Sequence, residues 1–420
     1  MRRLITSPGS LVTLLALLAA AACSGGSEDP PASTAVAFEG ARLIVGDGQV
    51  VESATFVVDG GRFVDAGATG SVAVPAGAAR VDLAGRTVMP AIVDTHVHLS
   101  QTREALLADL RQRAYWGVGA ALSLGSDEGD LAFEVRAEEI PGAARYRTAG
   151  RGITRPEPGR PEVPFWIDTP DEAREAVGEL AGRQVDIVKI WVDDRNGQFD
   201  KLTPELYGAV IDEAHANGLR VTAHIFSLED AKGLLRAGID AFAHGVRDRD
   251  IDDEFVRMVD EHPALVLVPN LPGRGVPTDV SWLAGGVPAE QFAQLQQQAA
   301  AENPAAQEAF GIQARNLARM AGEGVLVALG SDGNTPWAPH QEMEDMVIAG
   351  MSPAVVLVAA TSRGAGLLRL EEAGTVETGR SADFIVLEAN PLDDITNTRR
   401  IVSVYMRGDE ADRSTGAAAE

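Results

Sequence analysis

The stretch Val88-Met-Pro-Ala-Ile-Val-Asp-Thr-His-Val-His-Leu99 constrains the fold more than any other part of the chain. It is an apolar run that ends in two histidines one residue apart. Alternate side chains of a β-strand point to opposite faces, so His96 and His98 share one face and Thr95 and Val97 the other. Two imidazoles on rigid strand backbone can share one metal ion. A pair of hydrogen-bonded core histidines would look the same if it stood alone. The other histidines make the difference.

The chain has 7 histidines in 420 residues. Two more of them, His224 in Val221-Thr-Ala-His-Ile225 and His244 in Ala241-Phe-Ala-His244, also close apolar runs. Asp332 closes another, Val325-Leu-Val-Ala-Leu-Gly-Ser-Asp332. Groups at the ends of different strands converge at the C-terminal mouth of a parallel barrel, so the pattern predicts an α/β chain with a (β/α)8 TIM-like barrel. Lys189 stands inside the strand-like Asp186-Ile-Val-Lys-Ile-Trp-Val-Asp193, where an ammonium carries a desolvation cost. The chain has only three lysines, Lys189, Lys201 and Lys232, against 33 arginines. Arginine keeps its proton, whereas a buried lysine can become a neutral amine. A neutral amine can add carbon dioxide and become a carbamate with two oxygens able to bridge two cations.

On these residues the chain resembles the amidohydrolase superfamily of metal-dependent hydrolases. His96 and His98 fit its first barrel strand, Lys189 the fourth, His224 the fifth, His244 the sixth and Asp332 the eighth. The match is to the binuclear, carboxylated-lysine branch that includes Xaa-Pro dipeptidase-like and imidazolonepropionase-related proteins. The resemblance implies a small discontinuous β-sandwich, built from both chain ends, beside the barrel. The expected segments are 35–87 and 372–408 for the sandwich and 88–371 for the barrel, with a disordered tail over 409–420. A Gly is usual in the family where Ala91 stands.

Ligand counting points the same way. Five protein ligands exceed what one open tetrahedral zinc site uses, and they fall short for two ions unless something bridges them. A carbamate on Lys189 and a shared hydroxide would supply the bridges. His96, His98 and Asp332 would then hold one divalent ion, expected to be Zn2+, and His224 and His244 the other. Such a pair activates water and polarises a carbonyl, with Asp332 as catalytic proton acceptor.

The N-terminus reads as an address. Arg2 and Arg3 precede the apolar stretch Leu11–Ala22, too short to span a bilayer, so 1–22 is read as a signal peptide. Cys23, the only cysteine, resembles a bacterial lipoprotein acylation site, and 23–34 is Ser/Gly/Pro-rich like a flexible tether. The protein is therefore expected to be exported, as a periplasmic or cell-surface lipoprotein anchored through Cys23 or as a released form. The formal charge of −25 becomes −27 without the two leader arginines, which argues against nucleic acid as a partner.

A small-molecule substrate is the expected partner, with homo-oligomerisation left open. Trp191 and Phe226 lie two residues beyond a ligand on the same strand face. Arg151, Arg155 and Arg160, in the loop after the third strand, and Arg195 and Arg247 are candidates to grip a substrate carboxylate. His340 follows Asp332 on the mouth side and is a further candidate, whereas His215 reads as structural and His262, next to Pro263, as a surface residue. The insertion 271–324 is either a lid over the mouth or helical decoration. Hydrolysis of an amide-like C–N bond, in a dipeptide or N-acyl amino acid, is the primary expectation. The alternatives are a lactone or carbamate hydrolase, a single-metal deaminase-type hydrolase and a non-catalytic binding protein. Single-metal relatives usually carry Glu at the place of Ser227.

Overall fold

A computed structural model describes residues 33–413. The leader, Cys23 and nearly all of the tether lie outside the described residues. Among the described residues no helix is long and apolar enough to cross a membrane.

Eight parallel strands carry the site: Ile92–Val97, Val118–Ser123, Arg145–Thr148, Val188–Val192, Val221–Ile225, Ala241–Phe242, Val266–Leu267 and Leu326–Val327. They are buried almost throughout, as strands covered on both faces must be. Pairing joins the first three into one sheet and the last five into another, which two short strands, Ile153–Thr154 and Phe165–Trp166, extend to seven. Both seams between the sheets are closed by backbone hydrogen bonds, Thr95 N to Leu329 O (2.9 Å) and Asp186 N to Thr148 O (3.0 Å). The result is a TIM-barrel-like α/β fold whose ladder is broken at two seams rather than one continuous ring. Its interior is filled by small and branched side chains, among them Val93, Leu122, Ala241, Val266 and Ala328.

Local sequence explains where the flanking helices start. Thr169 caps Pro170–Gly182 with a complete capping box: its hydroxyl accepts from Glu172 N, and Glu172 accepts from the Thr169 backbone. Thr203 caps Pro204–Ala216, and in both helices Pro occupies the first turn, where its missing N–H is no loss. Ser227 caps Leu228–Arg236, accepting from Asp230 N and donating to its carboxylate. The residue that replaces the Glu of single-metal relatives is therefore used as a helix cap. Ala91 is compensated too, since its Cβ would stand 2.7 Å from any Cβ at position 119, and that residue is Gly119.

Both chain ends enter one mixed sheet of eight strands. Val36–Ile44, Val50–Asp59, Arg62–Ala68, Ala79–Asp82 and Thr87–Pro90 join Phe384–Leu387, Ile401–Met406 and Asp409–Glu410. Its core is a cluster of aromatic rings: Phe38 stacks on Phe56 and Phe384 on Tyr405. The expected sandwich thus takes the form of a single sheet among the described residues. Ordered structure also runs past residue 408, because Asp409 and Glu410 pair with Met406 and Tyr405.

The insertion after the seventh strand forms helices Ala289–Ala299 and Pro304–Gly322. Phe292 and Leu295 pack with Trp116, Trp282 and Trp337, and no residue of 271–324 lines the cavity that holds the histidines. Its first helix follows the decoration reading, because its apolar face is spent on this tryptophan cluster.

Candidate metal centre

Five of these strands bring residues at or just beyond their ends to one place. His96 Nε2 and His98 Nε2 lie 3.3 and 3.2 Å from Asp332 Oδ1, and His244 Nε2 lies 3.6 Å from Asp332 Oδ2. The His224 and His244 rings are 4.6 Å apart, and His96 is 5.2 Å from both His98 and His244. Ligand atoms of His96, His244 and Asp332 all lie within 4.8 Å of one another. All four imidazoles and Asp332 line one cavity of about 410 Å3. Lys189 does not line this cavity but lies behind Trp191, with a fully buried Nζ that has no hydrogen-bond partner and sits 5.4 Å from the Trp191 ring centroid.

Burial sets the protonation states. It pushes His96 and His244 well below the usual imidazole range, and it brings His224 down to about 4 against the opposing effect of its hydrogen bond to Asp193. It also lowers Lys189 to about 7, with the nearby Asp332 opposing. For Asp332 burial works upward, but His96, His98 and Lys189 together outweigh it and hold the carboxylate below its ordinary range. Neutral imidazoles, an ionised carboxylate and an amine able to shed its proton form a donor set suited to divalent cations. The orphaned Lys189 Nζ and the partnerless His96 Nε2 fit such an occupant, since a buried polar atom without a partner is costly.

The tight geometry has identifiable causes. A Cβ at Gly330 would stand 2.8 Å from His96 Cβ and 2.5 Å from Val268 Cγ1, so only Gly lets the eighth strand end pass that close to the first. A Cβ at Gly152 would stand 2.0 Å from the Trp191 ring. Asp332 and Asn270 both adopt positive φ, 49° and 45°, a strained conformation of the kind that gathers at functional sites.

Several contributors escaped the sequence reading. The Asn270 side-chain amide lies 2.8 Å from His96 Nδ1 and bonds Ala243 O, tying the first, sixth and seventh strand ends. Asp193 Oδ2 lies 2.9 Å from His224 Nε2. Its signal was available, since 189, 191 and 193 alternate onto one strand face. Buried Asp94 accepts from Ser331 N and Oγ and braces the segment before Asp332. Glu157 and Trp166 line the cavity from the third-strand loop.

Of the substrate candidates, Trp191, Arg160 and Arg195 line the cavity. Others are placed elsewhere. Phe226 is 38% exposed and outside the lining, because the chain turns into the Ser227-capped helix there. Arg151 lies over the Phe165 ring at 3.9 Å, and Arg155 pairs with Asp168 and Asp200. Arg247 is held near Asp332 but does not line the cavity. His340 does not line the cavity: it lies in the first turn of helix Ala338–Ile348, buried against Trp116 and Trp282 and bonded to Trp116 O and Thr398 Oγ1. His215 pairs with Asp240, and His262 bonds Met258 O.

A barrel-like fold with histidines and an aspartate at its strand ends defines a class of metal-binding α/β proteins. A family model described as the amidohydrolase family matches residues 169–411, more than half of the chain. The chain belongs to that family, as the ligand order implied. An uncharacterized protein of Mycobacterium tuberculosis is 32% identical over 209 residues, covering 45% of this chain and 53% of that protein. The chain thus spans about half the length of the first curated relatives it matches. Imidazolonepropionase of Deinococcus radiodurans is 26% identical over 395 residues, 87% of this chain and 93% of the relative. Among solved structures, a candidate prolidase from Bifidobacterium longum superimposes with a TM-score of 0.75 at 27% identity, covering 90% of this chain and 95% of that one.

Proposed function

We propose that this protein is a binuclear metal-dependent hydrolase that cleaves an amide-like C–N bond in a small molecule, a dipeptide or an N-acyl amino acid. The observation that carries the reading is Lys189, a fully buried amine without a partner, close enough to His96, His224, His244 and Asp332 to shift their protonation. Carboxylated by carbon dioxide, it would join His96, His98 and Asp332 on one side to His224 and His244 on the other. Two divalent ions held there, zinc by the character of the donors, would lower the pKa of a bound water and polarise the scissile carbonyl. Asp332, ionised and within 3.2 Å of His98, would be placed to take the proton of the attacking water and return it to the leaving nitrogen. Asn270 and Asp193 hold the imidazoles in place, and Trp191 and Trp166 form cavity walls that exclude water from the substrate.

Prolidase and imidazolonepropionase names among the similar proteins support C–N bond hydrolysis. The leader and Cys23 support export and lipid anchorage as part of the same proposal. The test is a screen of dipeptides, N-acyl amino acids and lactones with zinc-loaded protein, alongside metal counting. Turnover of the C–N substrates that is lost on chelation is the expected result. Turnover of lactones alone, or a single bound metal at full activity, would overturn it.

A further inference from the structure

We propose that Asp109 and Arg113, on one face of helix Arg103–Tyr115, are positioning residues that fix where the Asp332 carboxylate stands relative to His96 and His98. The proposal rests on the hydrolase reading above, in which Asp332 is both ligand and proton carrier, and adds the part of the chain that holds it.

Asp332 needs holding. Its φ of 49° lies in the left-handed region, a conformation that persists only where the surroundings enforce it. From the first strand, His96 O accepts from Asp332 N at 2.8 Å, and His98 N donates to Gly333 O at 3.1 Å. Asp94 holds Ser331 on the near side. On the far side the contacts come from a single helix. Arg113 Nη2 donates to the same Gly333 O at 3.1 Å. Asp109 Oδ2 accepts from Asn334 Nδ2 and from Ser100 N, each at 2.9 Å. Residues four apart share a helix face, so this face grips the two positions that follow Asp332 together with the second position beyond His98. The segments carrying the His pair and the carboxylate are thereby tied to one rigid element.

The burial of Arg113 is a second, independent observation. It is among the largest fully buried side chains, and its Nε and Nη1 have no hydrogen-bond partner among the described residues. Burial works against its charge, and Asp94 and Asp109 oppose that effect. A helix that had only to pack here could repeat Leu106 and Leu110, which are equally buried. Instead a guanidinium is kept inside with its one hydrogen bond on Gly333 O, the carbonyl next to Asp332. Neither Asp109 nor Arg113 lines the cavity, so both act through Asp332 rather than on substrate.

The experiment measures steady-state hydrolysis, by the zinc form, of the most rapidly cleaved compound of the screen above, and the visible spectrum of the Co2+ form, which reports coordination geometry. Arg113→Met keeps a long apolar stem inside and removes the donor. It should change the cobalt spectrum and lower kcat by about 10- to 10²-fold with KM within about twofold, because a small displacement of a reacting group is costly. Asp109→Ala should lose about tenfold in kcat, and Asp109→Asn, which keeps a side-chain oxygen as acceptor, should regain most of it. Val210→Ala, a fully buried position on helix Pro204–Ala216, should lower Tm and leave kcat and spectrum unchanged, which separates lost positioning from lost stability. Wild-type kcat and spectrum in Arg113→Met, or equal losses in Asp109→Ala and Asp109→Asn, would overturn the brace. If Arg113→Met does not fold by circular dichroism, the Asp109 pair decides by the same criterion. A wild type that binds cobalt and cleaves none of the compounds defeats the hydrolase reading alone. The spectra then decide the brace: a change in Asp109→Ala that Asp109→Asn reverses supports it, and unchanged spectra reject it. Absence of bound cobalt in wild type would reject both.

Discussion

His96 and His340 are both 1% exposed, and burial lowers the basicity of both, yet they sit in opposite kinds of environment. Each His340 nitrogen has a partner, Trp116 O at 2.9 Å and Thr398 Oγ1 at 3.1 Å, and the ring packs edge-on against Trp116 and Trp282. His96 Nδ1 has Asn270, but Nε2 has no hydrogen-bond partner and faces Asp332 and His244. Burial and a depressed pKa do not separate a ligand from a structural histidine. An unfilled valence aimed at other donors does.

The most severe way to probe the contrast is Asp332→Asn beside His340→Gln. The first should lower kcat by about 10²–10⁴-fold by removing the proton acceptor, whereas the second should leave kcat within about twofold. Comparable losses in steady-state assays would erase the distinction. Next in size, Lys189→Ala should reduce bound zinc below two ions per chain by plasma mass spectrometry and abolish most activity. A short carboxylic acid should restore part of it by supplying the bridge, and unchanged metal content would remove the carbamate.

His340 has a measurable signature of its own. Its folded pKa of about 4 lies below the ordinary 6.5, so the unfolded chain binds the proton first as pH falls. Stability from keeping it neutral is therefore complete above pH ~6.5 and is lost progressively down to pH ~4, on the order of 3 kcal/mol in total. Denaturant titrations of His340→Gln should show a shallower decline across that window; an identical slope would show that other groups set the acid sensitivity. Smallest is Gly330→Ala, where the added methyl would crowd Val268 and His96. It should destabilise by about 1–3 kcal/mol and weaken zinc binding, read as a lower Tm and a higher Kd.

How much of the site was visible beforehand follows from the two regions. The six candidate ligands were legible because strand alternation alone decides which residues share a face, and apolar runs ending in His are few among the 7 histidines of this chain. The caps at Thr169 and Thr203 were legible for a similar local reason. The arginine assignments split: Arg160 and Arg195 reach the cavity, while Arg151 and Arg155 are drawn to Phe165, Asp168 and Asp200. Partners of a loop arginine come from segments tens of residues away, and no local period encodes them.

Sequence by itself determined the strand-and-helix alternation, the faces carrying His96, His98, Lys189, His224, His244 and Asp332, and the excess of negative charge. Those properties depend on a residue and its near neighbours. Only the tertiary structure decided that Asn270 braces His96, that Asp193 meets His224, that Glu157 grips two arginines and that His340 belongs to the tryptophan cluster. Such contacts depend on how strand ends and loops from distant parts of the chain are brought within hydrogen-bonding distance, and the packing of the two sheets around one core is what sets those distances.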